Sequence, residues 1–205
     1  MLQTFLSAFI PLFIIVNPSS TLALFSIVTS KCTRKERISV AKKAVIYAVI
    51  LLFIFAFAGS SILQYLGISI PALRIAGGIL LGFVGLDMLR RGEQFGEAPP
   101  DKKQPSPEDY ALVPLALPSL SGPGAITVTI VSMQTIDNAL WFVIPAIVLT
   151  MIITFAVFMS SIIIIKILGK KGMDALTRVM GLLTVAIAVQ FALTGIAEWL
   201  PTLPF

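Results

Sequence analysis

Apolar positions gather into six long runs, at 3–29, 43–66, 71–89, 110–134, 140–168 and 175–199, with most polar and charged residues between them. At a rise of about 1.5 Å per residue, each run can cross a hydrocarbon core of about 30 Å as a helix. The runs lack an alternation of period two and are too long for barrel strands. The pattern therefore predicts an all-α polytopic membrane protein with six transmembrane helices. Between the third and fourth runs lies RRGEQFGEAPPDKKQPSPED, rich in proline, glycine and charge, which reads as a solvated linker over 90–109. It divides the chain into two three-span halves, 1–89 and 110–205.

Two of the runs are interrupted. The first contains NPSS at 17–20 and the fourth contains LPSLSGPGAIT at 117–127. Asn is a strong N-cap and Pro suits the first position of a helix, so Asn17-Pro18 predicts a second half-helix beginning at Pro18. Proline also disfavours the α conformation at the residue before it. By the same logic Gly122 is the cap and Pro123 the first helical residue of the second break, with Gly124 open to close backbone approach. Helices 1 and 4 are thus expected to be discontinuous near the membrane midplane. Each new half-helix offers unpaired amides, at Ser19, Ser20 and Thr21 and at Gly124, Ala125 and Ile126, and the positive end of a helix dipole. That suits a carboxylate. The hydroxyls of Ser19, Ser20, Thr21, Ser119, Ser121 and Thr127 add polar contacts, and carbonyls near Val16 and Leu120 suit an ammonium. A small site of both polarities, without a charged side chain, fits a small zwitterion such as glycine, alanine, serine or threonine.

The halves also match in sequence at an offset of about 104. AFIPLF at 8–13 falls on ALVPLA at 111–116, the NPSS break falls on SGPG at 121–124, and LRIAGGILLG at 73–82 falls on TRVMGLLTVA at 177–186. The last match sets Arg74-x-x-Gly77 over Arg178-x-x-Gly181. Because each half has three spans, the second must be inverted relative to the first. Inverted repeats with broken helices are the pattern of alternating-access transporters.

Charge then orients the chain. Every basic residue except Arg74 falls on the side shared by the loops after the first, third and fifth runs. The positive-inside rule makes that side cytoplasmic and puts both termini outside. The net charge of +5 is therefore a topology signal and not a nucleic-acid surface. MLQTFLSAFIPLFIIV has no basic leader or small-residue cleavage motif and reads as a retained first span. The chain is 57% hydrophobic, only 12% charged, and has a mean hydropathy of +0.98. With no histidine and a single cysteine, Cys32, it has no imidazole catalysis, internal disulfide or thiolate cluster. No cofactor or metal is implied.

Four residues are coupling or gating candidates. Asp87 is an acid near the cytoplasmic end of the third run, able to carry a proton or to pair with Arg90 or Arg91. Arg74 and Arg178 begin pseudo-equivalent helices on opposite faces and can close opposite gates or snorkel. Gln190 is polar within the sixth run and can reach the site or bond another helix. Gly77, Gly78, Gly82 and Gly85 have the spacing of close helix packing. Competing readings are a channel, which lacks a charged ring or filter-like carbonyl run, and a non-transporting scaffold. An intramembrane enzyme is also weighed. The GLD at 85–87 hints at an aspartyl protease but lacks a second Asp, and a serine hydrolase would need a base within the membrane. The chain reads as a non-enzyme.

The six spans, the first-span Asn-Pro motif, SGPGAIT in the fourth, the two Arg-x-x-Gly positions and GLLTVAIAVQFALTGI at 181–196 together resemble the MarC family of membrane proteins. That family includes the SnatA-type neutral amino acid transporters. The resemblance implies a multi-pass plasma-membrane (inner-membrane) protein that exports or exchanges small neutral amino acids, coupled to protons. The oligomeric state stays open. The chain departs from the family pattern at Ser20 and Ala23, where a glycine and a second proline are usual. Both backbone freedom and the second helix kink are reduced there.

Overall fold

A computed structural model describes residues 1–30, 32–91, 115–116 and 120–202. Among the described residues there are seven α-helices and no strand. They are α1 (Leu2–Val16), α2 (Pro18–Val28), α3 (Arg34–Tyr65), α4 (Ile70–Arg91), α5 (Pro123–Thr135), α6 (Leu140–Met159) and α7 (Ser161–Trp199), followed by a 3-10 turn at Leu200–Thr202. Five stretches are long and apolar enough to cross a membrane: Leu2–Val28, Arg34–Tyr65, Ile70–Arg90, Leu140–Met159 and Lys171–Trp199. Much of the predicted linker and the start of the fourth predicted run lie outside the described residues. The part of that run carried by α5 has 13 residues.

The helix α3 begins earlier than the apolar run because its polar first turns are capped. The Thr33 amide donates to Glu36 Oε2 at 2.7 Å, and the Thr33 hydroxyl accepts from the Glu36 amide at 3.4 Å. These bonds from Thr33 hold the exposed Glu36 carboxyl below its ordinary range. Further along, α3 buries a stripe of Val40, Ala44, Ala48, Leu52, Ala56, Gly59 and Leu63 at steps of three or four residues. The opposite face exposes Ile46, Ile50, Ile54 and Phe57. In water such a patch would be a liability; in lipid it is the solvent-facing surface.

The predicted run 140–168 is not one helix. The helix α6 ends at Met159, Ser160 leaves helical geometry at φ −87 and ψ 4, and α7 starts at Ser161. The Ser160 carbonyl accepts the amides of Ile163 and Ile164 at 3.0 and 2.9 Å. A second departure follows at Gly169, with φ 60 and ψ −179. The residues between are almost wholly apolar, so hydropathy merges them with α6; the backbone separates them.

The helices α4 and α7 run antiparallel through a seam of small residues. A Cβ at Gly78 would lie 2.7 Å from the Ala188 carbonyl oxygen, one at Gly85 would lie 2.9 Å from that of Gly181, and one at Gly195 would lie 2.8 Å from that of Pro71. Glycine lets the two backbones meet. Gly77 and Gly59 instead admit Thr127 and Ile130 of α5. The packing role expected of Gly77, Gly78 and Gly85 holds, whereas Gly82 has only Ala188 Cβ, 4.0 Å away.

Gly78→Val should force α4 from α7 and lower stability by roughly 1–3 kcal/mol, read as a lower melting temperature in detergent. Acidification should fray the first turn of α3. The folded carboxyl of Glu36 titrates lower than the unfolded one, so its contribution is complete above the ordinary glutamate range and is lost as pH falls through the lowered value. Amide exchange at the start of α3, against a Glu36→Gln control that shows no such pH dependence, checks this.

Candidate functional site

The first break is built by one residue with two tasks. Asn17 sits in the left-handed region at φ 46 and ψ 73, a conformation that asparagine tolerates better than most residues. Its amide closes α1 by donating to the Phe13 carbonyl at 3.0 Å. Its side chain opens α2 by accepting from the Ser20 amide at 3.3 Å. Pro18 takes the first helical position, as expected.

The rest of the carboxamide is also occupied. The Ser20 amide can only donate, so Oδ1 faces it and the orientation of the group is fixed. Oδ1 therefore accepts the Ser19 hydroxyl at 2.6 Å, while Nδ2 donates to Ser20 Oγ at 2.9 Å and to the Met88 sulfur of α4 at 3.6 Å. Ser20 Oγ in turn reaches Thr177 Oγ1 of α7 at 3.5 Å. Asn17 is thereby a bracket between α1, α2 and α4, and the Ser19 hydroxyl keeps lone pairs but has committed its proton.

Beside this bracket is a cavity of about 190 Å³. Its wall combines Phe13, Asn17, Pro18, Ser19 and Leu22 with Val157 of α6 and Ile164, Met173, Leu176 and Met180 of α7. Drug-sized pockets run from about 300 Å³ upward, so this space suits a smaller guest. No described wall residue is charged. Of the amides expected to be free, that of Thr21 bonds the Asn17 carbonyl at 3.2 Å and that of Ser20 is capped. The Ser19 amide precedes the first intrahelical bond of α2 and stands at its positive end.

The second break follows its predicted local form. Gly122 caps α5 in extended geometry at φ −64 and ψ 173, with Pro123 at the first position. Before it, the Ser121 amide and hydroxyl both donate to the Ala116 carbonyl, at 2.9 and 2.7 Å. A bond spanning five residues is a π-type turn. The Ile126 amide is taken by the Gly122 carbonyl at 3.1 Å. The two breaks do meet, because a Cβ at Gly124 would fall 3.1 Å from Ile15 Cγ2 and against Leu81. Gly124 is thus small for packing and not for ligand approach. Among the described residues, the cavity wall includes Asn17, Pro18 and Ser19 of the first break and none of the second.

The other predicted site residues divide by where their protons go. The Thr21 hydroxyl donates to backbone carbonyls of Asn17 and Val16, and that of Thr127 to the Pro123 carbonyl, as helix-borne threonines commonly do. Ala125 and Ser121 are buried and Pro123 is exposed. Ser119 lies outside the described residues. Arg74 is buried and paired with Glu198 at 3.3 Å, joining the start of α4 to the end of α7. Arg178 pairs with Asp174 of its own helix at 3.1 Å. Gln190 is exposed and donates to Thr194 Oγ1, one turn along α7. Asp87 is half-buried, next to Met88. Sequence reasoning missed the apolar wall. Its only signal was the spacing of Met173, Leu176 and Met180 on one face of α7.

Helices of this length and apolarity, with lipid-facing side chains and a backbone broken beside an internal cavity, define a multi-pass α-helical integral membrane protein. More narrowly, residues 2–200 match the model of the MarC family integral membrane proteins, and the chain belongs to that family. A UPF0056 membrane protein of Methanocaldococcus jannaschii is 42% identical over 201 residues, covering 95% of this chain and 97% of its own. One from Archaeoglobus fulgidus is 36% identical, covering 96% and 94%. The UPF0056 inner membrane protein MarC of Escherichia coli O1:K1 / APEC is 35% identical, covering 92% and 91%. No solved structure matches the chain.

Asn17→Ala removes the cap and places alanine in the left-handed region, and should cost about 1–3 kcal/mol. Asn17→Gly keeps the backbone conformation and should cost less than about 1 kcal/mol. Chemical unfolding of both variants in detergent checks the order.

Proposed function

We propose that this protein is a secondary transporter of small neutral amino acids, of the glycine, alanine, serine and threonine class. It works by alternating access between two inverted three-helix repeats whose first and fourth spans are broken near the midplane. The observation that carries this reading is the cavity of about 190 Å³ at the start of α2, where Asn17 and Ser19 are the polar members of a described wall that is otherwise apolar and uncharged. The Ser19 amide and the helix dipole favour a carboxylate. The Ser19 hydroxyl, its proton held by Asn17, accepts from an ammonium. Leu22, Leu176 and Met180 leave room for a small side chain.

The antiparallel seam of α4 and α7, the helices that carry the two Arg-x-x-Gly motifs, supports the inverted repeat. In this reading the basic loops are cytoplasmic and both termini are outside. Asp87 is the proton-coupling acid. Arg74, paired with Glu198, and Arg178, paired with Asp174, close opposite ends.

Uptake of radiolabelled glycine and alanine into proteoliposomes, with and without an imposed pH gradient, tests the proposal. Competition by other small neutral amino acids and stimulation by the gradient are expected. Ser19→Ala should weaken apparent glycine affinity about tenfold or more, the effect of losing a hydrogen bond to a charged group. Folded, reconstituted protein that takes up neither amino acid would sink the reading.

A further inference from the structure

We propose that the first turns of α7, residues 161–168, form a movable panel that controls access to the inner part of the cavity, hinged at Ser160 and Gly169 and held in its present position by Arg37. The gate rests on the cavity of the transport reading but not on the identity of its guest. The cavity wall crosses both hinges: Val157 precedes the first, Ile164 lies between them, and Met173, Leu176 and Met180 follow the second. A rotation of 161–168 about its two ends therefore moves one panel of the wall and leaves the others in place.

The backbone is made for such a pivot. Ser160 lies outside helical geometry. Gly169, at φ 60 and ψ −179, occupies a region essentially restricted to glycine. Among the described residues nothing lies within 4 Å of where its Cβ would be, so a glycine there is required by conformation and not by packing. This separates Gly169 from the glycines of the α4–α7 seam, which are small because a neighbour is close. The outer face of the panel is open among the described residues, with Ile162, Ile163 and Ile167 exposed.

The inner face of the panel packs through Ile164 and Ile165 against the core, and a polar clasp adds to that packing. Arg37, in the first turn of α3, donates from Nη2 to Ser161 Oγ at 2.7 Å. Its guanidinium lies 5.5 Å from the centre of the Phe25 ring, and that ring stacks on Phe158 of α6 at 4.4 Å with the planes 2° apart. The anchor is thus a rigid junction of α2, α3 and α6, with Ser161 as the movable part. In this state Leu22 and Met173, on the inner part of the wall, are at most 1% exposed.

The test is the rate at which a membrane-impermeant maleimide labels a cysteine placed at Leu22 in a Cys32→Ser background, in detergent and in proteoliposomes. Labelling should be slow in the parent. Ser161→Ala, which frees the clasp, and Gly169→Ala, which disfavours the observed backbone, should each speed it on the order of tenfold. Thr194→Ala, at the far end of α7, should leave it unchanged. Should Gly169→Ala fold poorly, Ser161→Ala and Arg37→Gln carry the test. Unchanged rates in correctly folded clasp variants overturn the gate. Faster labelling without glycine uptake would keep the gate and remove the amino acid reading; uptake with unresponsive labelling would do the reverse.

Discussion

The carboxamide of Asn17 is the constraint from which the cavity follows. A chain that must stop one helix and start another inside lipid has several backbone groups to satisfy and no water to satisfy them. Asn17 meets that demand with its own amide, carbonyl and side chain, and its left-handed backbone sets the angle between α1 and α2. Because a backbone amide fixes which end of the carboxamide faces where, it also fixes the direction of the Ser19 hydroxyl. A structural decision is thereby passed on as chemical polarity in the cavity wall.

Around that point the protein uses two kinds of joint. Between α4 and α7 glycines bring backbones into contact, and at α2, α3 and α6 an arginine and two phenylalanines meet face to face. The first joint is shallow, with few side chains to interdigitate. The second is tied by an oriented hydrogen bond and stacked rings. Small polar side chains elsewhere in the spans mostly turn back on their own helices, as Thr129 and Thr154 do. They satisfy themselves instead of gluing neighbours.

Much of this was legible in the chain. Runs of about twenty apolar residues have one physical use, and Asn-Pro and Gly-Pro have one favoured reading as helix starts, so five of the six predicted spans and both caps could be read directly. The cavity could not. Its wall is Phe, Leu, Ile, Val and Met, side chains that also make the core and the lipid face, and only tertiary packing tells the three apart. The hydroxyls misled for a related reason: Thr21, Ser121 and Thr127 are as polar as Ser19, but they turn to nearby backbone carbonyls and, unlike Ser19, are not part of the cavity wall. The helix end at Met159 was hidden because hydropathy does not register a change of backbone direction within an apolar stretch. The meeting of the two breaks through Ile15 and Gly124 was expected from the repeat, but not that the meeting would be dry packing.

The pairing of Arg74 with Glu198 bears on how the chain is assembled. Arg74 leaves the ribosome long before Glu198, so the first half enters the bilayer with a cation whose partner has yet to be synthesised. A guanidinium buried without its counter-charge is strongly unfavourable. Without the last span, burying that end of α4 would leave the cation unpaired. Burial of a first-half cation is thus made conditional on the chain's last helix, which ties the two halves to a common finished state.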